Sequence, residues 1–164
     1  VPSPLLTSKS PFDIVWSSPP CELWSKLQNC WIGRKRKDGT IMTAEKITER
    51  INKYGKPIVD KTLEIIEYFK SGNPNLIYFI ENPKDSRMKD YIKLDSDIVS
   101  YCKYADWGYR KDTRIWSNVN GFIPKICKND CYCFPHKNLT IGTTILDRYR
   151  IPPELIRDLF CLII

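Results

Sequence analysis

The chain has 164 residues, 42% hydrophobic and 12% aromatic, enough to bury one sizeable core, which argues against disorder and for a single domain over 1–164. Lys and Arg number 26 against 19 Asp and Glu, and the resulting formal charge of +7 permits a polyanionic partner without requiring one. No apolar run reaches the roughly 20 residues of a transmembrane helix, and no charged segment followed by an apolar one opens the chain, so a soluble intracellular protein without a membrane partner is expected.

In chain order, residues 1–11 hold three prolines and several hydroxyl residues, which suits an extended arm. "FDIVW" (12–16) is a short apolar run that fits a strand covered on both faces. Residues 33–53 open with a basic turn around Asp38-Gly39 and continue as a short polar helix from Thr43, an excursion on the surface. "KPIVDKTLEIIEYFKSGN" then predicts a helix, with Pro57 in its first turn, apolar Val59, Leu63, Ile66 and Phe69, and Gly72 as a stop. "NLIYFIEN" (75–82) is a second apolar strand, and a strand, a helical connection and another apolar strand imply a parallel crossover unit. "DIVSYCKY" (97–104) and "TRIWSNV" (113–119) read as further strands, antiparallel because their link is short. "IPPELIRDLFCLII" reads as a docked terminal helix with Leu155, Ile156, Leu159 and Phe160 on its apolar face. The fold expected is α/β, a mostly parallel sheet with an antiparallel edge and helices packed on its faces.

The seven cysteines, Cys21, Cys30, Cys102, Cys127, Cys131, Cys133 and Cys161, are odd in number and unevenly spaced. That pattern suits a reducing compartment with reduced or metal-bound thiols better than a disulfide scaffold. Cytoplasm, nucleus or a virus particle are the compartments expected.

Ligands of an open parallel sheet bind beyond the carboxyl ends of its strands. Cys21 lies shortly after "FDIVW" and Glu81 directly after "LIYFI", so parallel neighbours would bring thiol and carboxyl to one rim. Pro19 and Pro20 fix the backbone ahead of Cys21 and give it a rigid mount. Taken alone, each residue also has a plain reading, since a cysteine is commonly a small buried hydrophobe and a Glu after a strand a solvated loop residue.

"SPPCELWS", "FIENP", "YRKDTRIWSN" and "DRYRIPPELI", in that order, resemble the DNA cytosine-5 methyltransferase family, in the divergent branch of phages and large DNA viruses. The resemblance runs from about Phe12 to the C-terminus and implies a partial Rossmann-like methyltransferase sheet. It implies DNA as partner, S-adenosylmethionine as methyl donor, and Cys21 as the nucleophile that adds to C6 of cytosine. Glu81 matches the carboxylate that holds N3 and the exocyclic amine, and Arg114 the arginine beside the flipped base. Pro19 and Pro20 fall at the rim that contributes to the donor's pocket. Arg110 and Lys111, and with them Arg34, Lys35, Arg36 and Lys37, are candidates for phosphate contacts.

Three features depart from the family pattern. Pro83 stands where Glu-Asn is usually followed by Val. No glycine precedes Gly33, so the glycine-rich strand loop of the cofactor site is not found in this chain, and Val1, which is no start methionine, admits a fragment or a processed product. The interval before "DRYRIPPE" is short for a DNA-reading domain and forms a Cys-rich loop over 120–147. There Cys127, Cys131, Cys133 and His136 are candidate ligands of a zinc ion, although a Cys-x-Cys pair strains a single ion. Two other readings stand beside the methyltransferase: a catalytically silent descendant that binds DNA or packs into a virion, and a Cys-His hydrolase that would need His136 beside Cys21.

Overall fold

Parallel pairing of the first two apolar runs organises the N-terminal half. The computed structural model describes residues 12–139 and 143–163; the extended arm expected over 1–11 lies outside them. Strand β1 (Ile14–Ser17) runs parallel to β2 (Ile77–Pro83), with Ile14 opposite Ile77 and Ser17 opposite Ile80. Parallel strands need a long connection, and helices α1 (Ala44–Arg50) and α2 (Lys56–Gly72) supply it. Leu76, Phe79, Ile80, Val59 and Ile66 form the core of this half, none more than 2% exposed.

The two helices were expected apart, the second opening near Pro57, yet one π turn over Ile51–Gly55 joins them, with the Lys56 N–H donating to the Ile51 carbonyl. Proline explains the turn, because Pro57 has no N–H and its ring collides with the carbonyl four residues back in a regular helix. The turn also corrects the phase. At 100° per residue, Ile47 and Val59 would stand about 120° apart, and the one extra residue of a π turn removes about 100° of that. Ile47, Ile51, Gly55, Val59 and Ile66 are accordingly all buried. Thr43 caps α1 by accepting from the Lys46 N–H at 3.2 Å, and α2 stops at Gly72 as expected.

Gly55 is fixed by a close approach. A Cβ there would lie 3.1 Å from Trp24 Nε1 and 3.2 and 3.3 Å from two ring carbons. Gly55→Ala gains about 0.5–1 kcal/mol of helix propensity against about 1–3 kcal/mol of overpacking. Urea denaturation should therefore show a net loss of about 1 kcal/mol, and a stabilised variant would contradict a rigid Trp24.

The chain divides into two units, Val1–Lys93 and Leu94–Ile164. In the second, β3 (Ser96–Ser100) and β4 (Asp112–Ser117) form the expected antiparallel pair, with Ser96 opposite Trp116 and Ser100 opposite Asp112. The run that suggested a strand to Tyr104 instead turns at Tyr101–Lys103 into a single 3-10 turn. Three short elements were not expected: α3 (Met88–Tyr91) in the first unit, α4 (Ile145–Tyr149) in the second, and a 3-10 turn over Lys26–Trp31. The terminal helix α5 (Pro153–Phe160) forms, with Leu155 and Leu159 fully buried, so its buried face is narrower than the four residues expected. The chain is thus α/β, with a parallel pair and its helical crossover in one unit and an antiparallel pair with helices in the other. No described helix is long and apolar enough to cross a membrane.

Candidate active site

Past the carboxyl end of β1 the chain leaves through Ser18, Pro19 and Pro20 to Cys21. Ser17 pairs with Ile80, the residue before Glu81, so the register brings the thiol's turn and the carboxyl to the same end of the parallel pair. A buried hydrogen bond joins them: Asn82, next to Glu81, donates from Nδ2 to the Pro19 carbonyl at 2.8 Å. The other side of the turn is held as well. The Trp24 N–H donates to the Cys21 carbonyl at 3.0 Å, and the Trp24 carbonyl accepts from the Arg87 N–H at 2.9 Å. The Arg87 guanidinium donates to the Ser25 carbonyl at 2.9 Å and to Asn29 Oδ1 at 2.5 Å. Trp24 itself is buried against the Tyr91 ring, with centroids 5.5 Å apart. Cys21 is therefore a half-buried thiol on a turn fixed from both sides, and Glu81 is 6% exposed. Such a pair suits nucleophilic attack on a ring whose growing charge the carboxyl group can meet.

Arg34, Lys35, Arg36 and Lys37 are all exposed on a small hairpin. The Lys35–Ile41 bridge and the Arg36 N–H to Thr40 carbonyl bond at 2.8 Å shape it, and Gly39 at φ 82° closes it. Its side chains flank a cavity of about 490 Å³ lined by Glu22, Trp31, Lys35, Arg36, Lys37 and Arg50. Glu22, on the cavity wall, is the residue that follows Cys21 in the chain.

The second unit holds the other expected residues. Arg114 Nη1 donates to Ser96 Oγ at 2.6 Å, its guanidinium sits 5.9 Å from the Trp116 ring, and its buried Nε has no hydrogen-bond partner among the described residues. Arg110 grips Asp112 with two bonds of 2.8 Å, and Lys111 donates to the Arg148 carbonyl at 3.0 Å, so both cations are engaged within their own unit.

Of the four residues expected as ligands, Cys127, Cys131 and His136 gather, and a different thiol, Cys102, stands with them. Ligand atoms of Cys102, Cys127, Cys131 and His136 lie within 4.8 Å of one another. Cys133 is outside, its thiol 3.7 Å from the Ala105 carbonyl, as befits a Cys-x-Cys pair that cannot easily point both sulfurs at one centre. Cys102 takes its place from the 3-10 turn after β3. Burial pushes the Cys102 thiol far up. Burial also acts upward on Cys127, but the Asn129 and Asp130 N–H groups outweigh it and bring that thiol below its ordinary value. Lys103, 2.8 Å from Asp130, holds that exposed carboxyl down at about 2.

No family model matches the chain, and no solved structure does. Over 167 residues it is 37% identical to the "Probable DNA (cytosine-5)-methyltransferase" of Frog virus 3 (isolate Goorha), an alignment covering 90% of this chain and 74% of the relative. The chain belongs to the DNA cytosine-5 methyltransferase family. The match also places it in the viral branch that the ordered motifs resemble. In this member of the DNA cytosine-5 methyltransferase family two further residues hold the Cys21 turn: Asn82, which lies in the Glu-Asn motif but is given no role by it, and Arg87. The signal for Asn82 was present: an amide inside a continuous apolar strand must be buried, and a buried amide needs a partner. Arg87 had none, because its partners are backbone and side-chain groups about sixty positions away.

Proposed function

We propose that the chain methylates carbon 5 of cytosine in DNA, with Cys21 as nucleophile and Glu81 as the group that steadies the base. The observation that carries this reading is the buried bond from Asn82 to Pro19, which locks the Cys21 turn to the strand bearing Glu81. The parallel β1–β2 pair with its helical crossover supports a Rossmann-like methyltransferase sheet.

In this mechanism the Cys21 thiolate forms a bond to C6, and the electron pair of the C5–C6 double bond becomes available at C5. Glu81, held in a dry strand interior, meets N3 and the exocyclic amine, where charge develops. After methylation the C5 proton passes to water, its electron pair re-forms the C5–C6 double bond, and the C6–sulfur bond breaks with its electrons returning to Cys21. C6 is hidden in a duplex, so the base must be turned out, and the cations of the 34–37 hairpin suit the phosphates of the strand so deformed. Arg114 is assigned to the turned-out base.

S-adenosylmethionine, the family's donor, supplies an electrophilic methyl group when bound. The chemistry of the rim fits it in one respect. Pro19 is buried with its carbonyl committed to Asn82, whereas Pro20 exposes an apolar ring directly ahead of the thiol. Of the two prolines, Pro20 is the one open to a ligand.

Incubation with duplex DNA and S-adenosylmethionine labelled in its methyl group should place label on 5-methylcytosine after nuclease digestion. DNA that is bound but never labelled, with the donor also bound, would identify a silent descendant instead.

A further inference from the structure

We propose that Cys102, Cys127, Cys131 and His136 bind one zinc ion, which replaces a hydrophobic core for the segment between β4 and α4. The inference is independent of methyl transfer, since it rests on the second unit alone.

The segment needs an anchor. Among the described residues 118–139 there is no helix or strand, and Cys127 is the one buried residue. Its large apolar side chains face outward, with Ile123 82% exposed and Tyr132 fully so. Structureless stretches of this length are uncommon inside a compact unit. The only described residue the segment buries is thus a thiol in a group of four ligand-type side chains.

The geometry fits a tetrahedral ion. Zinc bonds of about 2.3 Å to sulfur place tetrahedral ligand atoms about 3.8 Å apart. Here Cys127 Sγ lies 3.7 Å and Cys131 Sγ 3.1 Å from His136 Nε2, with all four ligand atoms inside 4.8 Å. Three thiolates and an imidazole are soft and borderline ligands that select zinc over calcium or magnesium. Four protein ligands leave no open position, so the ion would be structural.

The surroundings are those of a held metal thiolate. Asn129, in a left-handed conformation at φ 67°, donates its N–H to Cys127 Sγ at 3.3 Å. The Cys127 N–H donates to Ser100 Oγ at 3.0 Å, and that hydroxyl donates to Asp112 Oδ1 at 2.7 Å. Ligand, β3 and β4 are thereby linked. Lys103 and Arg110, each paired with an aspartate, also lie near enough for their charges to be felt at these thiols.

Untagged protein from zinc-supplemented cells should contain one zinc per chain by elemental analysis, and a chelator should remove it and lower the melting temperature. Cys133→Ser should keep the zinc, and Cys102→Ser should lose it or retain it at least tenfold more weakly. Should Cys102→Ser fail to fold, cobalt substitution of the unaltered protein gives a second measurement. Tetrahedral cobalt bands with thiolate charge-transfer absorption should appear, and should persist unchanged in Cys133→Ser. Protein that holds no zinc and yields no tetrahedral cobalt spectrum overturns the proposal. So does a Cys133→Ser variant that loses the metal, or a disulfide joining two of the three thiols in protein purified without oxidant.

Discussion

DNA carrying 5-fluorocytosine should become covalently attached to the chain when S-adenosylmethionine is supplied, and Cys21→Ala should abolish the attachment. Fluorine at C5 cannot leave as a proton does, so the thiol remains bonded to C6 and the complex survives denaturation. Methyl transfer to ordinary cytosine should fall by on the order of 10⁴-fold or more, the scale seen when a nucleophile that acts as part of a unit is removed. The fold should survive, because Cys21 is half-buried and the turn is held by main-chain groups and by Asn82 and Arg87. Cys30, an exposed thiol nine positions on, is the control, and Cys30→Ala should trap DNA as the parent does. Trapping that persists in Cys21→Ala, or that maps to Cys30, would remove Cys21 from the mechanism.

Asn82→Ala should slow methyl transfer about 100-fold while the protein stays folded. The variant leaves the buried Pro19 carbonyl without its 2.8 Å donor, and the Pro-Pro turn that presents Cys21 loses its tie to β2. A reacting group displaced by about 1 Å forfeits roughly that factor. The stability loss should be smaller in effect, about 1–3 kcal/mol for one orphaned buried acceptor. It is moderated because Asn82 Oδ1 is itself buried with no partner among the described residues, and the substitution removes that group too. Asn82→Asp separates shape from donation, since it keeps the volume but cannot donate to the carbonyl, and it should be at least as slow. Single-turnover rates beside urea denaturation check both. Full activity in Asn82→Ala would show that the turn holds its position without β2.

What the sequence made legible follows from how locally each feature is encoded. β1, β2 and β4 appear as apolar runs with turn residues at their ends, and α2 as a periodic stripe, because burial imprints itself directly on residue type. The joining of α1 to α2 was not legible, since Lys56-Pro57 reads as a helix start and only the demand for one buried face from Ile47 to Ile66 overrides it. Cys21 and Glu81 are singled out as candidates because strand ends and ordered motifs mark them. Cys102 was hidden: it lies inside a run that reads as strand, twenty-five positions before Cys127, while Cys133 is the nearer thiol in sequence. Only the 3-10 turn at Tyr101–Lys103 swings the distant thiol into the group and leaves the near one out.

The π turn at Ile51–Gly55 also sets where this chain can change length. Removing one residue from the turn would let α1 run into α2 as an unbroken rod with Val59 still within about 20° of the Ile47 face, whereas removing one from the regular part of either helix would rotate the side chains beyond it by about 100°. Within 44–72, then, a single deletion outside the π turn is a rotation, and one inside it is a shortening. The hairpin at 34–40 has no such phase to keep, because its exposed tip leads nowhere that depends on residue count. Relatives that differ in length before β2 should accordingly place the difference in the π turn or in the basic hairpin, and in the second case the reach of the hairpin's cations differs between them.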